Sequence, residues 1–200
     1  MRDAKPPSRA PSESLAGSRS SAARLMRLSL VGTPEVERLT RLREFFRPLG
    51  IRYDAAPVGG EPIEIDLTVH GIPGIMLLAG RMQGARYRRI REYNDPAEDV
   101  GLVLNAGGAQ HIRQRGHEVV LDDGDATLLS LTDPLEGTHR PPGTLRVLRL
   151  PLAQLAPRLS GGQDSFLRRI PRGAAALNLL TGYLDAAWQE WDQQRRGAKE

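Results

Sequence analysis

Hydrophobic and polar residues alternate most cleanly over residues 61–70, E-P-I-E-I-D-L-T-V-H. Ile63, Ile65, Leu67 and Val69 fall on one side, and Glu64, Asp66, Thr68 and His70 on the other. A two-residue period is that of a half-buried strand. Gly71-Ile72-Pro73-Gly74 then turns the chain, and residues 75–81 form a second strand. Upstream the period is helical. Val36, Leu39, Leu42 and Phe45 or Phe46 recur at helical spacing, with charged residues on the other face. Thr33 is suited to cap this helix and Pro34 to its first position, while Arg47-Pro48-Leu49-Gly50 ends it. Such an amphipathic helix lies on a core.

Residues 84–92, GARYRRIRE, read as a third strand. Its arginines suit an edge or solvated strand; alternatively, one of them turns inward to meet an acidic ligand. Residues 100–105, VGLVLN, are almost continuously apolar, which predicts a strand buried on both faces. Residues 113–131 read as strand, turn, strand, turn, strand, with Gly116 at the first break and Asp122-Asp123-Gly124-Asp125 at the second. A β-hairpin with tight turns is expected there. Residues 132–143 are turn-rich and residues 144–150, TLRVLRL, form a last strand. Short strands punctuated by Gly and Pro predict an antiparallel barrel or sandwich. Pro151 then opens a short helix, and residues 174–191 form the strongest helix of the chain. Leu177, Leu180, Leu184, Ala187 and Trp191 follow an a/d spacing, with Trp188 beside the seam. That seam packs on the strands of its own chain or pairs with a second copy.

Composition narrows the picture. Two hundred residues suit one domain with a sizeable core. The absence of cysteine excludes a disulfide framework, a thiolate metal site and a cysteine nucleophile, and suits a reducing cytoplasm. No window reaches the roughly 18 consecutive apolar residues of a membrane span, and the N-terminus lacks the apolar core of a secretory signal. Residues 1–25 are rich in Ser, Ala, Pro and Arg without periodicity, which predicts a disordered tail. The net charge is +4, yet the charges are dispersed and mixed in sign. A nucleic-acid footprint needs basic residues clustered on one face, and a single-strand platform needs more aromatics than this chain has.

The order of these parts resembles the N-terminal, ligand-sensing half of AraC/XylS-type transcription regulators, the AraC-binding-like domain. The resemblance covers roughly residues 39–189 and rests on successive phrases: the strand at residues 63–69, GIPGIMLLAGRMQGARYRRIRE, VGLVLNAGGAQHIRQRG, HEVVLDDGDATLLSL, LRVLRLPLAQLAPRL and FLRRIPRGAAALNLLTGYL. It implies a mainly β fold with α: a cupin-like antiparallel β-barrel with an N-terminal amphipathic helix and C-terminal helices. It also implies a bacterial, cytoplasmic protein whose barrel binds a small-molecule effector and whose helices form a homodimer through Leu177, Leu180, Leu184, Trp188 and Trp191. The expected division is a tail over residues 1–25, helix and sensor barrel over 26–160, a dimerisation segment over 161–192 and a frayed end over 193–200. The family's two helix-turn-helix units have no counterpart before Glu200, so this chain by itself is not expected to bind DNA. It reads as a free-standing sensor, a truncated regulator, or an interaction protein that heterodimerises with intact relatives.

A cupin-like barrel raises one enzymatic alternative, a metal-dependent cupin enzyme. The available ligands would be His111, His117, Glu118 and His139. No His-x-His is present, and His117 and Glu118 are adjacent, so a strand sends them to opposite faces. Surface or hydrogen-bonded histidines are the expected reading. Ser130 lies in no nucleophile elbow, and Gly107-Gly108 opens no phosphate-binding helix. No catalytic, cofactor-binding or metal-binding residue is therefore expected, and the chain is read as a binding module rather than an enzyme.

Overall fold

A computed structural model describes residues 24–49, 51–60, 62–72, 74–89, 99–139, 142–159 and 162–197. Its strands are β1 (Arg24–Ser29), β2 (Tyr53–Pro57), β3 (Glu64–Ile72), β4 (Ile75–Gln83), β5 (Ala85–Arg89), β6 (Asp99–Ala106), β7 (Gln110–Gln114), β8 (His117–Leu121), β9 (Ala126–Ser130), β10 (Leu135–His139) and β11 (Gly143–Pro151). Its helices are α1 (Glu35–Phe46), α2 (Leu152–Leu155) and α3 (Ala175–Gly197). All strand pairings are antiparallel. They make a six-stranded sheet, β1-β3-β4-β11-β6-β9, and a five-stranded sheet, β2-β5-β10-β7-β8. The two sheets face each other as a cupin-like, jelly-roll-like sandwich. The backbone ladders do not close it into a continuous barrel.

The alternation at residues 61–70 does what its period predicts. Ile65, Leu67 and Val69 of β3 are buried in the core between the sheets. β6 is buried on both faces: Val103 joins the inter-sheet core, while Leu102 and Leu104 join a second cluster under α3. Leu42, Phe45 and Phe46 anchor α1 on the inter-sheet core.

Several elements differ from the sequence reading. The N-cap of α1 is Pro34, without a side-chain capping bond, rather than Thr33. Thr33 is buried, and its carbonyl accepts a hydrogen bond from Arg38 Nε at 2.8 Å. β5 is no edge strand: β2 covers one side and β10 the other. Arg86 and Arg88 are exposed on the outer face, while Ala85 and Tyr87 point into the core. The strand-rich stretch at residues 113–131 is a hairpin only in its first half. β7 and β8 pair around Arg115 and Gly116, both at positive φ, as a two-residue hairpin turn requires. β9 instead crosses to the other sheet and pairs with β6. β10 arises in a segment that reads as turns, with Leu135, Gly137 and His139 pointing inward. β1 lines the edge of the six-stranded sheet, beginning within the stretch expected as tail. The remainder of that stretch, residues 1–23, lies outside the described residues.

Two side chains hold the sandwich shut where no ladder joins the sheets. Gln114 of β7 donates through Nε2 to Ser130 O at 2.8 Å and accepts Ser130 N at 2.9 Å on its Oε1. Its amide thus imitates a neighbouring strand. Asn105 of β6 donates to Leu121 O and Asp122 O, both at 3.1 Å, and to Gly108 O at 2.8 Å. Buried amides with satisfied donors stabilise one specific arrangement of the layers.

Candidate functional site

Between the sheets lies a cavity of about 60 Å³. One wall is aliphatic and comes from the six-stranded sheet: Leu67, Leu78, Val103, Leu129, Leu145 and their neighbours. The opposite wall carries Tyr53, Ala55, Tyr87, Ala85 and Gln110 of the five-stranded sheet, and α1 contributes Leu42 and Phe46. The alternation that builds each strand therefore also builds the cavity, since every second side chain is directed into it.

The polar content of this space is small and specific. Gln110 is completely buried and donates through Nε2 to Tyr87 Oη at 2.7 Å. Among the described residues its Oε1 meets no hydrogen-bond partner. Directly across the strand pair from Gln110 stands His139, 1% exposed, whose Nε2 is likewise unpartnered. Burial pulls the His139 imidazole down to about 4, so the ring is neutral at neutral pH. Burial, with Tyr53 nearby, raises the Tyr87 phenol well above its usual value, against the opposing Gln110 hydrogen bond, so it stays protonated. An aromatic chain reaches this cluster from the helix: Phe46 to Tyr53 at 4.8 Å, Tyr53 to Tyr87 at 6.0 Å and Tyr87 to His139 at 6.4 Å between ring centroids. Gly137 makes the arrangement possible, because a Cβ there would sit 2.1 Å from Tyr87 Cζ. At another part of the wall, Arg149 of β11 is engaged by Asp99 through two nitrogens and by Leu49 O at 3.2 Å.

The metal-ligand candidates are dispersed. His139 points inward, whereas His111 Nδ1 lies 3.6 Å from Glu118 Oε1 on the outer face. Arg113 hydrogen-bonds the same carboxylate and, together with His111, holds it below its ordinary value. His117 is exposed at the start of β8. Among the described residues no three His, Cys, Asp or Glu side chains come together as a metal set. The aspartates of the β8–β9 crossover are committed to holding the chain. Asp125, almost fully buried, accepts Asp122 N and Arg172 N and pairs with Arg169. Asp122 also pairs with Arg169, and Asp123 accepts Gly107 N. Ser130 lies in β9 beside Thr132, 3.0 Å between their hydroxyl oxygens.

The five residues expected to join two copies face the chain's own sheet. Leu177 and Leu184 are buried, and Leu180, Trp188 and Trp191 pack beside them, against Leu77, Leu102, Leu104 and Leu148 on the outer face of the six-stranded sheet. His70 of β3 stacks on Trp191 with centroids 4.4 Å apart. Arg146 of β11 pairs with Asp185 at 2.6 Å. The opposite side of α3 exposes Leu179 (78%) and Tyr183 (70%), one turn apart. Sequence spacing marked the seam but not the cavity lining. Gln110, which lines the cavity, and His139, opposite it on β10, are brought together only by the pairing of β7 and β10.

The structure is similar to that of the AraC-like transcriptional activator CuxR, with a TM-score of 0.67 and 15% identity. The match covers 83% of this chain and 60% of that one, so this chain spans under two thirds of the length of that protein. Weaker likenesses include the EutQ protein of Clostridium difficile (TM-score 0.36, 9% identity, 44% of this chain and 64% of that one) and KdgF from a Halomonas species (0.36, 14%, 48% and 91%). No curated protein matches the chain. The family model of the AraC-binding-like domain matches residues 53–200, which include the cavity-lining strands from β2 onward and α3. With the cavity, its helix-backed sheet and that match together, the chain belongs to the AraC-binding-like domain family.

Proposed function

We propose that this chain is the effector-sensing part of an AraC-type regulator. It captures a small molecule between its sheets, performs no chemistry on it, and associates with a second copy through α3. The observation that carries this reading is the enclosed apolar cavity with a buried Gln110–Tyr87 pair in its wall. Apolar lining with a few placed polar groups is the usual make-up of a small-molecule site. A sensor needs no nucleophile or metal, and the histidines and carboxylates lie on different faces or in ion pairs. The inner seam of α3 serves its own sheet, which leaves Leu179 and Tyr183 on the outward face for a second copy.

The experiment is a thermal-shift screen of small molecules on the full chain, repeated on Leu129→Trp, whose indole fills the cavity. Compounds that raise the wild-type midpoint and leave the variant unmoved support the reading. Stabilisation that persists in Leu129→Trp, or no hit in the screen, counts against it. Association is read separately by sedimentation: Leu179→Asp should shift a dimer to monomer, and a wild-type chain that stays monomeric at high concentration removes that part.

A further inference from the structure

The polar end of the cavity carries a more specific message. Gln110 and Tyr87 have three hydrogen-bonding functions between them once their mutual bond is made. Among the described residues, Gln110 Oε1 accepts from nothing. The Tyr87 Oη receives Gln110 Nε2, and among the described residues its own O–H meets no acceptor. One unused acceptor, Gln110 Oε1, and two unused donors, the second Gln110 Nε2–H and the Tyr87 O–H, thus sit side by side in a buried wall. Turning the Gln110 amide over changes which atom plays which part but not the sum. Tyr87 would then donate to Oε1, leaving both amide N–H bonds as donors and a phenol lone pair as acceptor. Buried polar groups left unmade are costly, so their natural complement is a guest that bears both functions.

We infer that the effector is a small, uncharged, mainly apolar molecule with a single hydroxyl or amide head, which donates to Gln110 and accepts from Tyr87. This rests on the reading of the cavity as the effector site. A carboxylate would be buried in this apolar space without a counter-charge. The cavity's guanidinium, Arg149, is already engaged by Asp99 and by the Leu49 carbonyl. A polyol would bury several hydroxyls against Leu67, Leu78, Leu129 and Leu145, which offer no partners. Size points the same way. One water-sized position takes about 10–15 Å³, so a cavity of about 60 Å³ accommodates a single small ring or a short chain.

Three probes of one ring size decide the matter by titration calorimetry on the full chain: phenol, toluene and benzoate. Phenol should bind about tenfold or more tightly than toluene, as a site with unmade hydrogen bonds discriminates, and benzoate should be weakest. In Gln110→Leu the advantage of phenol over toluene should collapse, and Tyr87→Phe should reduce it. The wild-type order is decisive without either variant, so a poorly folded variant does not blunt the test. Equal binding of phenol and toluene, or benzoate binding best, overturns the inference while leaving the cavity as the effector site. If none of the three binds, the inference falls. If the wider screen also finds nothing that Leu129→Trp abolishes, the sensor reading falls with it.

Discussion

At the scale of single residues, the interior is governed by what three polar side chains do without water. His139 is inward, neutral and flanked by the Tyr87 ring. Its folded-state value is depressed to about 4 from 6.5 by burial. Between these values the unfolded chain binds a proton that the folded chain does not, so stability falls as pH falls. The contribution is fully present above about pH 6.5 and is lost progressively down to about pH 4, amounting to about 3 kcal/mol. Denaturation curves measured across that window should show this slope, and His139→Gln should flatten it. A slope unchanged in the variant would mean that His139 is not the group responsible. Little of this was legible in the sequence. His139 stood between Thr138 and Arg140 near two prolines, a context that reads as turn, and its burial comes from β5 and β7 on either side.

At the scale of elements, the sandwich depends on side chains that stand in for missing backbone ladders. Gln114 is the clearest case, with both ends of its amide bonded to Ser130 of the facing sheet. Gln114→Leu keeps the volume but leaves Ser130 N and O without those partners. The expected cost is about 2–4 kcal/mol for two buried hydrogen bonds, read as a lower denaturant midpoint; a change below about 0.5 kcal/mol would show that the clamp contributes nothing. The β8–β9 crossover has the same logic, with Asp125 and Arg169 fastening the approach to α3 onto the turn. The Asp-Asp-Gly-Asp turn was legible as a turn, because Gly124 takes a positive φ there. That it switches sheets was not, since local residues encode a reversal and not which sheet receives the next strand. The arginine run of β5 was legible as an edge or a solvated strand, and the second holds: Arg86 and Arg88 line the solvated face of an interior strand.

At the scale of the whole molecule, one face of α3 is buried and the other exposed, so substitutions on the two should part monomer stability from the proposed self-association. Leu184 is buried on the outer face of the six-stranded sheet, whereas Leu179 is 78% exposed. Leu184→Ala should therefore cost about 2–4 kcal/mol in unfolding free energy. Leu179→Ala should change monomer stability by less than about 0.5 kcal/mol and weaken only self-association. Equal effects of the two on a dilute, monomeric sample would mean that α3 does not lie as described. The a/d spacing of Leu177, Leu180, Leu184 and Trp191 was evident from the sequence, and so was the existence of an apolar seam. Its partner was not, because the same spacing suits a sheet of the same chain or a helix of another.

The sequence by itself determined the periods: alternation in β3, double burial in β6, the helical seam of α3, and the glycine-marked turn between β7 and β8. These are local, set by backbone geometry and the hydrophobic effect over a few residues; they were enough for an antiparallel β fold, whereas the family rested on the resemblance of successive phrases along the chain. Which strands share a sheet, and that Gln110, Tyr87 and His139 stand together on one sheet, came only from the packing of distant segments. Those three are separated by 23 and 29 positions along the chain. Their meeting follows from strand register and sheet facing, in which a shift of one residue would send every side chain to the other face.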